Sequence, residues 1–282
     1  MLLNPQAFYA AQGQISDPGP HASLFDPLPG DLPSLVKAIQ GMMLHLHWAP
    51  ALGITLNRIR REESNIRIIS DRIAKLLELS DTPLNQERPL TRKTVGTCRD
   101  FALLLTATLR HQGIPARCRA GFGTYFTPGR YEDHWVCEYW QADTSRWVMV
   151  DAQLDSLQVE KLAIDFDPLD MPKDKFVSGA RAWTLCRTKQ ADPKLFGIFN
   201  MKGLDFVKGN LIRDFLALNK VEILPWDNFM LINTSFMHMK KNEKALMDRL
   251  AAITTGEDRD FLLLRAAYAA NQSLLLPPYF IQ

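Results

Sequence analysis

The chain has 282 residues, 46% of them hydrophobic, and its 33 Lys and Arg against 31 Asp and Glu leave a net charge of +2. That apolar content can bury a substantial core, while so small a net charge gives no support for nucleic acid or an anionic membrane as a partner. No stretch of 18 apolar residues occurs, and no basic region followed by an apolar run, so a cytoplasmic protein with no membrane association is expected.

Residues 1–34 hold six of the 17 prolines (Pro5, Pro18, Pro20, Pro27, Pro29 and Pro33) and read as an irregular Pro-rich arm over the surface. Leu35, Ile39, Met42, Met43 and Leu46 then fit one amphipathic helix, and Ile66, Ile69, Ile73, Leu76 and Leu77 another that ends before Pro83. His45 and His47 raise the question of zinc. At i and i+2 on a helix they point about 200° apart and would diverge unless that segment is extended, no third ligand is near, and no metal or other cofactor is expected.

Thr94-Val95-Gly96-Thr97 runs directly into an apolar helical pattern with Phe101, Leu104, Leu105 and Leu109 on one face, so a helix begins at Thr97 or Cys98 and stops at His111-Gln112-Gly113. A cysteine at a helix start meets unpaired N–H groups and the positive end of the dipole, which predicts a lowered thiol pKa. Cys118, Cys137 and Cys186 lie inside apolar patterns and read as core residues, all as free thiols.

A strand over 117–126 follows, then a turn at Thr127-Pro128-Gly129-Arg130 and a second strand from about Asp133 to Trp140. Alternation puts His134, Val136, Glu138 and Trp140 on one face and Trp135, Cys137 and Tyr139 on the other. A third strand, Arg146–Val150, delivers Asp151 at its end, and antiparallel neighbours place His134 beside Asp151. Asp155 is the nearby substitute, and Glu138 reads as one half of a salt bridge within the sheet.

Thiol, imidazole and carboxylate in this order supply a nucleophile, a base that takes and returns a proton, and a group that orients the base. The Cys98 backbone N–H is a natural oxyanion donor, and the indole N–H of Trp48 is a candidate for the second. Trp135, Tyr125 and Trp226 are the aromatic candidates for substrate contact. For Trp226, as for Trp183, core packing is the competing role. After Asp151 helices are predicted near 174–188, 204–219, 240–254 and 258–275.

These residues carry a resemblance. Gly96-Thr97-Cys98-Arg99-Asp100-Phe101-Ala102, Gly113-Ile114-Pro115-Ala116-Arg117, Asp133-His134-Trp135-Val136 and Trp147-Val148-Met149-Val150-Asp151 together resemble the transglutaminase-like superfamily. The resemblance covers roughly residues 85–160. It implies an α+β, papain-like core in which the helix carrying the cysteine packs on an antiparallel sheet carrying the histidine and aspartate, with additional helices before and after. Cys98 takes the nucleophile position, His134 the base position and Asp151 the orienting position.

The superfamily includes crosslinking enzymes, peptidases, deglycosylating amidases, amide-forming enzymes and members without activity, so the resemblance names a reaction type and leaves the substrate open. No acidic run suggests the calcium sites of the animal crosslinking enzymes. The expected organisation is an arm at 1–34, helices plus catalytic core at 35–160, and a mainly helical extension at 161–282 packing on that core. The expected function is cysteine-dependent acyl transfer through a thioester acyl-enzyme, acting on a peptide, protein or small-molecule amide or thioester as a protease, amidase or acyltransferase. The alternative is a non-catalytic module that uses the same scaffold to bind a peptide or partner.

Overall fold

A computed structural model describes residues 4–275; residues 1–3 of the predicted arm and 276–282 of the predicted extension lie outside the described residues. The arm is less irregular than expected. The Asn4 side chain accepts from the Gln6 N–H and starts helix α1 (Pro5–Ala10), where Pro5 sits in the first turn and costs no hydrogen bond. Tyr9, Ile15, Phe25 and Leu28 then bury themselves in the core, so the segment packs inward as well as covering the surface.

Asp31 caps α2 (Leu32–Met42) by accepting from the Ser34 N–H at 2.9 Å. The helix expected to continue to Leu46 ends at Met42, because Met43–His45 forms β1 and pairs in parallel with β2 (Thr94–Gly96), His45 opposite Gly96. Between them lie α3 (Arg58–Glu62) and α4 (Ile69–Leu79), the latter burying Ile69, Ile73 and Leu76.

Helix α5 (Cys98–His111) follows, then β3 (Ala116–Gly123), β4 (Tyr131–Gln141) and β5 (Arg146–Val150), paired antiparallel in the order β3-β4-β5. Cys118, Ala120, Trp135, Cys137, Val148 and Val150 form one buried cluster with Phe101, Leu104 and Leu105 of α5, which fastens the helix to the sheet. Each Val, Leu and Phe among them contributes about 1.5–3 kcal/mol when fully buried. On the other face Glu138 lies between two guanidiniums, 2.7 Å from Arg117 Nε and 3.2 Å from Arg119 Nη1. Burial disfavours the Glu138 charge, but Arg119 and Arg117 outweigh it and hold the carboxyl at about 2.

The chain continues through α6 (Ser156–Lys161), β6 (Phe176–Ser178), α7 (Gly179–Arg187), β7 (Phe196–Ile198), β8 (Met201–Lys202), α8 (Leu204–Leu218), α9 (Met230–Asn233), α10 (Lys241–Thr255) and α11 (Phe261–Ala270). The helix expected from 174 begins at Gly179, because Phe176–Ser178 pairs with the edge of β3. The sheet is mixed rather than purely antiparallel, since β7 runs parallel to β4. Long connections after β5 make that crossover possible.

One edge of β4 is thus shared by two strands. β7 pairs with Tyr131 and Glu132, β5 pairs with Cys137 through Gln141, and the ladder is open between them at His134. Trp183, Leu211, Phe215 and Met247 centre a second core that holds α7, α8 and α10 together. No helix among the described residues is long and apolar enough to cross a membrane.

Candidate active site

The start of α5 is held from several sides. Asp100 accepts from the Thr97 N–H at 2.8 Å, closing the first turn, and its other oxygen lies 3.0 Å from Arg72 Nη2 and 2.9 Å from Arg99 Nη1. Arg72 also donates to Thr94 Oγ1 at 2.7 Å and to the Val95 carbonyl at 3.1 Å, while Glu63 accepts from the Val95 N–H at 2.8 Å. All three ionic side chains around Asp100 are buried, so β2 and the helix start form one rigid unit. Gly96 makes the close approach possible. A Cβ there would stand 2.5 Å from Met43 Cε and 2.9 Å from Asp100 Cβ.

The structure brings Cys98, His134 and Asp151 together. The Cys98 thiol and the His134 imidazole line the same cleft and interact electrostatically, and His134 Nε2 lies 2.8 Å from Asp151 Oδ2. With Nε2 engaged by the carboxylate, Nδ1 is the ring nitrogen left for sulfur. The ladder explains the placement: β4 and β5 pair Cys137 with Val150, so Asp151, one step further, falls opposite Val136 on the face that also presents His134. The Asp151 carboxylate receives two further donors, the Tyr125 hydroxyl at 2.6 Å on Oδ2 and the Gln153 N–H at 3.0 Å on Oδ1. Phe126 sets its ring against the imidazole with centroids 4.9 Å apart.

The electrostatics differ from the expectation for Cys98. Desolvation at the base of a narrow cleft raises the thiol pKa, and the helix start does not overcome it, although contacts with His134 and the Trp135 backbone pull it back. Burial likewise disfavours charge on His134, but the Asp151 charge and hydrogen bond, aided by Cys98, outweigh it and push the imidazole up to about 10. Ionisation of the sulfur is therefore favoured chiefly as a thiolate paired with imidazolium. Burial pushes Cys137 up to about 12 and Cys186 up to about 11, with no such partner.

A cleft of about 450 Å³ opens on Cys98 and His134. It is lined by His45, His47 and Trp48 from β1 and the turn after it, by Phe199 and Met201 of the β7–β8 hairpin, with the Phe199 ring centroid 5.2 Å from that of His47, and by Phe206 and Arg213 of α8 and Trp226. Trp48, the candidate oxyanion donor, and Trp226, a candidate for substrate contact, both line the cleft, Trp226 being 42% exposed. Two aromatic expectations are corrected. Trp135 is 0% exposed in the cluster between α5 and the sheet, because its position in the alternation points away from His134. Tyr125 is spent on Asp151 instead of lining the cleft. Trp183 is also a core residue, its indole N–H donating to Asp248 at 2.9 Å.

Among the described residues no group of three His, Cys, Asp or Glu side chains converges to hold a metal. Sequence reading missed His45 and His47 as cleft residues, having placed them on a helix. It also missed Phe126, Phe199 and Arg213, which carry no local signal of their role.

Comparison with known families identifies the part of the chain that holds this site. Residues 58–152 match the transglutaminase-like superfamily. The transglutaminase-like segment starts within α3, earlier than the boundary near 85 drawn from the motifs, and takes in Glu63 and Arg72, which brace β2. It ends just past Asp151. A search of the curated proteins finds no match. Among solved structures, one named "Putative Cysteine Protease from Cytophaga hutchinsonii" is similar over 63% of this chain and 46% of its own, with 17% identity and a TM-score of 0.37. This chain thus spans less than half the length of that protein.

Proposed function

We propose that this protein is a cysteine-dependent acyl-transfer enzyme whose transglutaminase-like site uses Cys98 as nucleophile, His134 as general base and acid, and Asp151 to orient and charge-stabilise the imidazole. The observation that supports this reading is one imidazole that is hydrogen-bonded to the Asp151 carboxylate and lines the same cleft as the Cys98 thiol.

The proton of Cys98 passes to His134, and the thiolate attacks the carbonyl carbon of an amide or thioester. The C–S bond forms as the carbonyl π pair moves to oxygen, which the unpaired N–H of Cys98 at the first helical position stabilises. Collapse re-forms the carbonyl and expels the amine, which takes the His134 proton, or the thiolate. Water or an amine, deprotonated by His134, then attacks the thioester and frees Cys98. Four free cysteines fit a reducing compartment, which supports a cytoplasmic location.

The test is intact-mass measurement after incubation with a panel of peptide amides and acyl thioesters. A single acyl adduct is expected on the wild type and none on Cys98→Ala. No adduct with any donor, alongside tight non-covalent peptide binding, would instead favour the partner-binding module.

A further inference from the structure

We propose that His45 Nε2–H is the second oxyanion donor of this site, completing the hole whose first donor is the Cys98 backbone N–H. The proposal deepens the acyl-transfer reading and rests on it.

Three observations place His45 there. First, the β1–β2 ladder sets His45 directly opposite Gly96, two residues before Cys98, and β2 is braced by Glu63 and Arg72, so the ring is held by a fixed backbone. Second, His45 is only 8% exposed and lines the cleft together with Cys98 and His134. Third, the tautomer is decided by a backbone contact: His45 Nδ1 accepts the N–H of His47 at 3.2 Å. A nitrogen that accepts a hydrogen bond carries no proton, so the ring is neutral and its single proton sits on Nε2. Among the described residues that N–H has no hydrogen-bond partner. An unpartnered donor on a largely buried ring that lines the cleft beside a nucleophile is the feature an oxyanion hole requires.

The surroundings keep it so. Burial, with His47 and His134 nearby, holds His45 down to about 3, and the imidazole remains a neutral donor through the working range of any thiol enzyme. A neutral donor also leaves the adjacent imidazolium undisturbed, where a second cation would not. His47 and Trp48, the neighbouring side-chain N–H donors of the cleft lining, lie two and three residues further on, where the chain has left the ladder.

In the reaction, as the Cys98–carbon bond forms and the π pair moves onto oxygen, His45 Nε2–H and Cys98 N–H would both donate to that oxygen. No proton is transferred from His45. When the carbonyl re-forms, both hydrogen bonds relax.

The test uses a pair of substitutions that divide the two functions of the ring. His45→Asn keeps an acceptor where Nδ1 stood and loses the Nε2 donor; His45→Gln keeps a donor where Nε2 stood and loses the acceptor. Acetyl-phenylalaninal is the probe, since its hemithioacetal with Cys98 places an oxygen in the hole. Iodoacetamide is the control, because displacement of iodide develops no oxyanion. His45→Asn is expected to weaken aldehyde binding by about 10²–10³-fold with the alkylation rate of Cys98 within about twofold, and His45→Gln to retain most of the aldehyde affinity.

Equal aldehyde binding by wild type and His45→Asn would overturn the donor role while leaving acyl transfer standing. So would a parallel loss of alkylation and binding in both variants, which is the mark of a structural role. Loss in Trp48→Phe with none in His45→Asn would transfer the role to Trp48. A wild type that alkylates but forms no hemithioacetal with this probe or other capped amino aldehydes overturns the acyl-transfer reading and the donor role together.

Discussion

The Tyr125 hydroxyl donates to Asp151 Oδ2 at 2.6 Å, the same oxygen that lies 2.8 Å from His134 Nε2. Tyr125 therefore braces the imidazole through the carboxylate and through its own ring, 5.9 Å away, while lying outside the cleft lining. Hydrogen bonds to charged groups contribute about 1.5–3 kcal/mol. Tyr125→Phe should lower kcat by about tenfold or more with KM little changed, since it disturbs orientation and leaves the cleft walls intact. Steady-state kinetics on the donor found by mass measurement checks this, and a pure KM effect would refute it.

Asp151 dominates the titration of His134. Below pH about 6.5 the imidazole is protonated in folded and unfolded chains alike, so its raised affinity contributes fully to stability; between about 6.5 and 10 only the folded state keeps the proton, and the contribution is lost. Asp151→Asn removes the charge responsible. The wild type should lose Tm more steeply than Asp151→Asn between pH 6 and 10, and the His134 ring signal in NMR should titrate well below 10 in the variant. Parallel Tm profiles would rule this out.

Thiol chemistry should single out Cys98. Cys118 and Cys137 are buried with Thr106 as their common neighbour, and Cys186 has no imidazole partner. Iodoacetamide at neutral pH should label the native protein once, on Cys98, with labelling abolished in Cys98→Ala and retained in Cys137→Ala. Peptide mapping of the alkylated protein reads the result directly.

Gly96→Ala tests the close approach beneath the helix start. The added Cβ meets Met43 Cε at 2.5 Å and Asp100 Cβ at 2.9 Å, and overpacking of this kind costs about 1–3 kcal/mol. Chemical denaturation should show that loss, and alkylation of Cys98 should slow because Asp100 is displaced from the Thr97 N–H. Wild-type stability would mean that Met43 yields freely.

Asp100→Asn tests the buried charge cluster. Removing one member of a buried ionic group costs about 3–5 kcal/mol, because Arg72 and Arg99 would keep their charges without the carboxylate. The variant should unfold at markedly lower denaturant. A loss below about 1 kcal/mol would show that backbone carbonyls alone satisfy both guanidiniums.

Much of the core was legible because local rules and tertiary packing agree there. Thr97 before an apolar 3.6-residue pattern marked α5, and period-2 alternation with a polar turn marked β4, β5 and the approach of Asp151 to His134. Where they disagree, the reading failed. Met43 and Leu46 continue a helical stripe, yet hydrogen bonds to β2, 51 residues later, pull Met43–His45 into a strand. The thiol pKa was misjudged for a related reason, since the helix start is visible in sequence but the desolvation around it is set by residues far along the chain. Phe199, at positive φ on a two-strand hairpin, gave no sign that it would line the cleft.

The trio and much of the cleft lining lie on different stretches of the chain, although Thr97, Phe126, Glu132 and Asp133 line the cleft from the same segment as the trio. Cys98, His134 and Asp151 fall within residues 58–152, whereas His45, Trp48, Phe199, Arg213 and Trp226 all come from outside that segment. Under the proposed function, bond-breaking and much of selectivity would reside on different stretches of polypeptide. Drift in the flanks would then retune which acyl donors are accepted without touching the trio, and a fragment limited to residues 58–152 would lack much of the cleft lining.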